Sequence, residues 1–156
     1  MNEEEREIVK KFERLYLKDF KCVEEQEFEF TKGIIIISGN NGEGKSTIFN
    51  ALNILLFNDA PLNLKDYIRW GSDEFSIGLD FENNGVVYQE FLSYSEKSGG
   101  KRILKNLNTN EEWTNSVAVD KLKEIINFDL AKPSIVSAEG EQNLISTTPS
   151  KRREFL

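Results

Sequence analysis

IIIISGNNGEGKSTIFNALNILLF, residues 34–57, sets a glycine-rich octet between two apolar runs. The isoleucines before it show no polar–apolar alternation, so GIIIIS (33–38) predicts a central strand covered on both faces. After it, Ile48, Ala51, Leu52, Leu55 and Leu56 recur at helical spacing, and Phe49 and Ile54 spread the apolar surface around the helix, which predicts a buried helix. The octet between them, Gly39 to Ser46, fits the pattern GxxxxGK[ST] and stands where that pattern has meaning, after a strand and at a helix start. Its glycines let the backbone curl so that successive amide N–H groups point inward, and the helix start adds its dipole to the same spot.

The loop is therefore read as a cradle for the phosphates of a nucleoside triphosphate, ATP, built from Gly39, Asn40, Asn41, Gly42, Glu43, Gly44, Lys45, Ser46 and Thr47. Lys45 is expected to reach the β- and γ-phosphates, and the Ser46 hydroxyl to ligate Mg²⁺. A glycine-rich turn without a ligand is the competing reading, and the order of strand, loop and helix weighs against it.

Composition bounds the rest. The 156 residues, 38% of them hydrophobic, suffice for one domain with a real core. With 27 acidic against 20 basic residues the net charge is -7, so any nucleic-acid partner needs a local patch. One cysteine, Cys22, excludes an internal disulfide, and the lack of histidine removes the commonest general base and metal ligand. Catalysis must then draw on backbone amides, lysine, hydroxyls and carboxylates. The acid-rich start MNEEEREIVKKFER does not fit a secretory signal, and no apolar run approaches membrane-spanning length, so the expected location is the cytoplasm.

RLYLKDF (14–20) alternates with Leu15, Leu17 and Phe20 inward, and EEQEFEF (24–30) alternates with Phe28 and Phe30 on one side. In EFSIGLDFENNGVVYQEFLSYS (74–95), Phe75, Ile77, Leu79 and Phe81 share a face, NNG turns the chain, and Val87, Gln89 and Phe91 share a face on the return. RILKNLN (102–108) adds a third strand, giving an antiparallel meander. A helix over about 116–127 presents Val119, Leu122, Ile125 and Ile126. In STTPSKRREFL, Thr148 as N-cap and Pro149 at the first position announce a helix that the sequence cuts short at Leu156. Two strings are set aside: FSIGLDFE imitates a buried acid-ending strand but alternates, and SGGKR (98–102) imitates an ABC signature but leads into a strand.

The fuller string GNNGEGKST resembles the GxNGxGKST form of ABC-type ATPases, including the SMC-like repair proteins. LYLKDFKCVEEQEFEFTKGIIIISGNNGEGKSTIFNALNILLF and IRWGSDEFSIGLDFENNGVVY are together similar to the amino terminus of the SbcC family, so the resemblance covers the chain from about Phe12. It implies an α/β P-loop NTPase head lobe of ABC/SMC type, with the meander beside the strand–loop–helix unit, occupying 1–156 as a single amino-terminal lobe. The truncated root of a coiled coil would begin near 148–156. The phage recombination endonuclease branch is included in the resemblance. By the same resemblance Phe20 and Lys21 lie near the sugar and α-phosphate, and a loop glutamine before a glycine meets Mg²⁺ and the attacking water. Here Glu139 precedes Gly140 in that place and Gln142 lies three residues on; either carries the role, Glu139 then as a metal contact, or the segment is an ordinary polar loop.

The resemblance implies partners. A carboxy-terminal lobe brings the signature motif and the acid-ending strand, a second head closes the ATP site as a dimer, and a phosphoesterase nuclease subunit acts with the heads on DNA in double-strand-break repair. Hydrolysis is expected only with that second lobe. A RecF- or RecN-type ATPase without a nuclease partner is the alternative within P-loop proteins. A P-loop nucleotide kinase is the alternative from another functional class, against which stand Asn41, the meander and the lack of an arginine-rich lid.

Overall fold

The computed structural model describes residues 11–30, 36–40, 44–60 and 62–126. Six strands form one sheet: β1 Lys11–Phe20, β2 Val23–Glu29, β3 Glu74–Asn83, β4 Val86–Ser95, β5 Gly99–Asn106 and β6 Glu112–Thr114, in the order β2-β1-β3-β4-β5-β6. Every pairing is antiparallel. Two helices accompany it, α1 Lys45–Phe57 and α2 Asn115–Ile125, with a short 3-10 turn at Leu64–Tyr67.

The alternation read from the sequence selects the core face. Leu15 and Leu17 of β1 stand opposite Leu79 and Ile77 of β3, and all four are buried under α1, which contributes Ile48, Ala51, Leu52 and Leu55. Phe20 joins the same core although it breaks the two-residue period, because Asp19 adopts a left-handed conformation (φ 49°) and turns the strand end inward. Phe20 then stacks on Tyr67 at 5.3 Å and meets Phe75 edge-on at 5.1 Å. Asn84 (φ 51°) and Gly85 (φ 75°) supply the paired positive φ angles of a tight hairpin turn, which fits the right-handed twist of β3 and β4. That antiparallel pairing bears out the exclusion of FSIGLDFE as a parallel acid-ending strand. SGGKR, set aside as a turn, opens no helix, but Gly99 to Arg102 already pair with β4 as part of strand β5.

Val87, Gln89 and Phe91 of the return strand β4 share a face, as the alternation predicts, and it is the outer one, while Glu90 and Leu92 are buried against the core. Two expectations change. Of the isoleucine run, Ile36 and Ile37 lie in no strand, and Ile36 is 84% exposed, while Gly33, Ile34 and Ile35 lie outside the described residues. A two-faced apolar strand needs neighbours on both sides, and among the described residues the sheet ends at acid-rich β2 and short β6, with α1 over its core face. The helix predicted near 116–127 starts at Asn115 and buries Ala118, Leu122 and Ile126, with Val119 and Ile125 only partly covered. The helix signal at Thr148 and Pro149 and the coiled-coil root at 148–156 lie outside the described residues.

β2 occupies a sheet edge and exposes Glu24, Glu25, Glu27 and Glu29. No described helix is long and apolar enough to cross a membrane.

Candidate phosphate site

α1 begins at Lys45, directly after Gly44, whose backbone is left-handed (φ 90°, ψ 15°). An L side chain is strained there, so the octet's last glycine is required by backbone geometry. Space demands it as well. A Cβ on Gly44 would stand 3.1 Å from the Cys22 Sγ and 3.6 Å from the Val23 Cγ2. The β1–β2 turn thus presses on the helix start, and Cys22 Sγ also lies 3.7 Å from the Thr47 hydroxyl oxygen. Thr47 is buried and belongs to the wall of the cradle.

No side chain caps α1 and no acid occupies its first turn. The opening amides of a helix lack intrahelical acceptors, and with no side-chain cap bond at Gly44 and no acid in the first turn their positive end suits an anion. Lys45 points its ammonium back along the loop, donating to the carbonyl oxygens of Gly39 and Asn40, the latter at 2.7 Å. The lysine therefore sits between the loop's entry and the helix start, as a phosphate-reaching lysine must. Ser46 occupies the first helical turn beside it. The structure brings Gly39, Asn40, Gly44, Lys45, Ser46 and Thr47 close together; Asn41, Gly42 and Glu43 lie outside the described residues, as do Glu139 and Gln142.

Lys21 stands in the β1–β2 turn with φ 53°, one residue from the cysteine that touches the helix start. Its backbone N–H donates to the Tyr67 carbonyl at 2.7 Å, and its ammonium lies 5.6 Å from the centre of the Tyr67 ring. Phe20 is wholly buried, so its part is to anchor this turn in the core. Among the described residues no group of three or more His, Cys, Asp or Glu side chains gathers to hold a metal.

Sequence reasoning missed two contributors. Cys22 carries no local signal, since only the fold brings it to Gly44. Arg102 lay in the string set aside as a turn, yet it is buried on the core face of β5 and reaches the far end of α1. Its signal was the inward period Arg102, Leu104, Asn106 opposite buried Leu92 and Glu90. Glu90 accepts a hydrogen bond from the Arg102 Nη1. Burial pushes the Glu90 carboxyl up to about 8, against the opposing pull of Arg102.

A separate groove of about 490 Å³ opens on the outer face of the sheet, where Tyr16, Gly78, Phe91 and Ile103 lie between Arg14 and Lys105. It shares no residue with the cradle.

Comparison with known proteins agrees with this geometry. A family model described as an AAA domain, AAA_23, matches residues 14–155. The chain is 33% identical over 144 residues to the DNA double-strand break repair Rad50 ATPase of Methanocaldococcus jannaschii, covering 88% of this chain and 14% of the relative. It is 30% identical over 145 residues to that of Methanococcus maripaludis, covering 90% of this chain and again 14% of the relative. The chain thus spans a small fraction of the curated relatives it matches. Among solved structures, the recombination mediator RecF with ATP superposes with a TM-score of 0.61 at 16% identity, over 92% of this chain and 36% of that one, a likeness of fold.

Proposed function

We propose that this chain, which belongs to the AAA_23 family of AAA domains, is the amino-terminal nucleotide-binding lobe of a Rad50- or SbcC-type ATPase that acts in DNA double-strand break repair. One observation carries the reading: Lys45, at the start of an uncapped helix behind a left-handed glycine, reaches back to the Gly39 and Asn40 carbonyls at the other end of the glycine-rich octet.

The residues have distinct tasks. An ammonium has three N–H donors, so Lys45 can trade its two carbonyl partners for phosphate oxygens and offset the charge on the β- and γ-phosphates. The first amides of α1 hold the phosphates in place, and the acid-free first turn avoids like-charge repulsion. Ser46 would hold Mg²⁺, which takes a hydroxyl, phosphate oxygens and water more readily than an all-protein cage. The metal supplies charge neutralisation across the β- and γ-phosphates. The Cys22 and Val23 turn keeps the loop's last glycine close to the sheet.

Hydrolysis is assigned to an assembly: this lobe, a carboxy-terminal lobe with the signature motif, and a second head, together governing a phosphoesterase nuclease on DNA. The similarity to Rad50 ATPases supports that assignment. Glu139 or Gln142 serves as the water- and metal-facing loop residue in it. A RecF-type ATPase without a nuclease partner is the second reading, favoured by the fold likeness to the ATP complex of RecF.

The test is nucleotide binding by calorimetry with Mg²⁺. ATP should bind the wild-type chain, and Lys45→Ala should weaken it by about tenfold or more, the worth of a charge-assisted contact. Undiminished binding by the variant would place the nucleotide elsewhere. Turnover should appear only when the carboxy-terminal lobe is supplied, and enhanced nuclease activity of a phosphoesterase subunit on adding ATP separates the Rad50 reading from the RecF one.

A further inference from the structure

The most buried ionic feature among the described residues lies at the end of α1 opposite the cradle. Arg102 and Glu90 are 4% and 1% exposed, on neighbouring strands of the core face. The Arg102 Nη1 donates to Glu90 and, at 3.0 Å, to the Leu55 carbonyl; Nη2 donates to the Ile54 carbonyl at 2.8 Å and to the Asn58 Oδ1 at 3.2 Å. One planar guanidinium thus bridges two successive carbonyls of the last helical turn and the side chain of the residue that ends it. The last carbonyls of a helix have no partner within it, and a cation there suits the helix dipole. α1 has no basic residue of its own in its last turn, so the cation comes from the sheet.

Stability alone is a poor reason for this arrangement. The other Glu90 oxygen, Oε2, is buried with no hydrogen-bond partner among the described residues, and an apolar pair of similar volume commonly serves a core as well or better than a buried ion pair. What an apolar pair lacks is direction. Arg102 holds backbone oxygens, so it sets the axial position and rotation of the helix itself.

The lever arm makes that setting count. From Leu55 to Lys45 the helix rises about 15 Å, and a tilt of about 5° pivoting at Leu55 would move Lys45 by about 1.3 Å. Misplacements of about 1 Å at a reacting group can cost about a hundredfold.

We propose that Glu90 and Arg102 are positioning residues for the phosphate loop, fixing Lys45, Ser46 and Thr47 from the opposite end of α1 through the Ile54 and Leu55 carbonyls. The proposal rests on the nucleotide-binding reading above. It makes the meander an active support of the ATP site: β4 and β5 hold the helix that the β1–β2 turn touches at its other end.

Two variants test it. The double change Glu90→Leu with Arg102→Leu removes the carboxyl and the guanidinium together and keeps the core apolar; Arg102→Lys keeps a cation that cannot bridge both carbonyls in one plane. Both are compared with wild type at a temperature where each is folded, by calorimetric ATP affinity and by the alkylation rate of Cys22, the chain's one cysteine, which lies against Gly44 and Thr47. A positioning pair predicts ATP affinity about tenfold weaker in the double variant, a smaller loss with lysine, and altered Cys22 alkylation in both. Wild-type affinity and wild-type alkylation in a folded variant would overturn it. Should the double variant not fold, Arg102→Lys decides by the same two readouts. The thiol readout does not depend on ATP: were wild type not to bind nucleotide, the function would fall, while altered alkylation would still show that the pair sets the start of α1.

Discussion

Replacing Gly44 by alanine probes the cradle without touching its charges. The backbone there has φ 90°, and holding an L-residue in the left-handed region costs about 1–2 kcal/mol. The new Cβ would also meet the Cys22 Sγ at 3.1 Å, so the thiol must move by a few tenths of an ångström; an off-rotamer side chain costs about 0.5–1.5 kcal/mol. The expected total is about 2–3 kcal/mol of lost stability, beyond the range of ordinary surface changes. Cys22→Ala alone removes an exposed thiol and should stay within about 0.5 kcal/mol of wild type. In that background Gly44→Ala keeps the backbone strain and loses the collision, so the double variant should recover about 0.5–1 kcal/mol, read as the coupling term of a double-mutant cycle. Urea denaturation followed by fluorescence of Trp70 and Trp113 supplies the four free energies. A loss below about 0.5 kcal/mol in both backgrounds would refute the left-handed conformation. A full loss that Cys22→Ala leaves unrelieved would refute the contact between turn and loop.

Other expectations follow from single features. Glu90, with its carboxyl raised from 4.5 to about 8, keeps a proton in the folded chain that the unfolded chain releases, so its contribution to stability is complete below 4.5 and is lost as pH rises through about 8. Denaturation of wild type and Glu90→Gln across that window should show their difference changing with pH, wild type losing ground as pH rises; a constant difference would contradict the raised carboxyl. Gly85→Val places a β-branched residue at φ 75° in the β3–β4 turn and should cost about 1–2 kcal/mol, measured by the same denaturation, with the m-value unchanged.

The sequence disclosed the cradle because a phosphate loop is a local object: its glycines, lysine and helix start are contiguous, and Gly44 and Lys45 take up the geometry that the pattern implies. The β3–β4 hairpin was equally legible, since Asn84 and Gly85 signal a turn that only residues tolerant of positive φ can make. Which way β4 faces was not legible. Val87 and Phe91 on one side compete with Tyr88, Leu92 and Tyr94 on the other, and only the pairing of Leu79 with Glu90, and of Glu90 with Leu104, settles that Glu90 points inward. Contacts across the fold were likewise hidden: Cys22 on Gly44, and Arg102 on Ile54 and Leu55, join residues far apart in the chain. At Ile36 and Ile37 hydrophobicity specifies a wish for cover and does not say who provides it; Ile36 is exposed among the described residues.

The acid-lined edge of β2 has a consequence for the life of the chain outside any complex. A sheet whose outermost strand offers free backbone groups is a template for copies of itself, and closely spaced negative charges make each arriving copy repel the last. Four glutamates within seven residues thus act as a guard against fibre growth from that side.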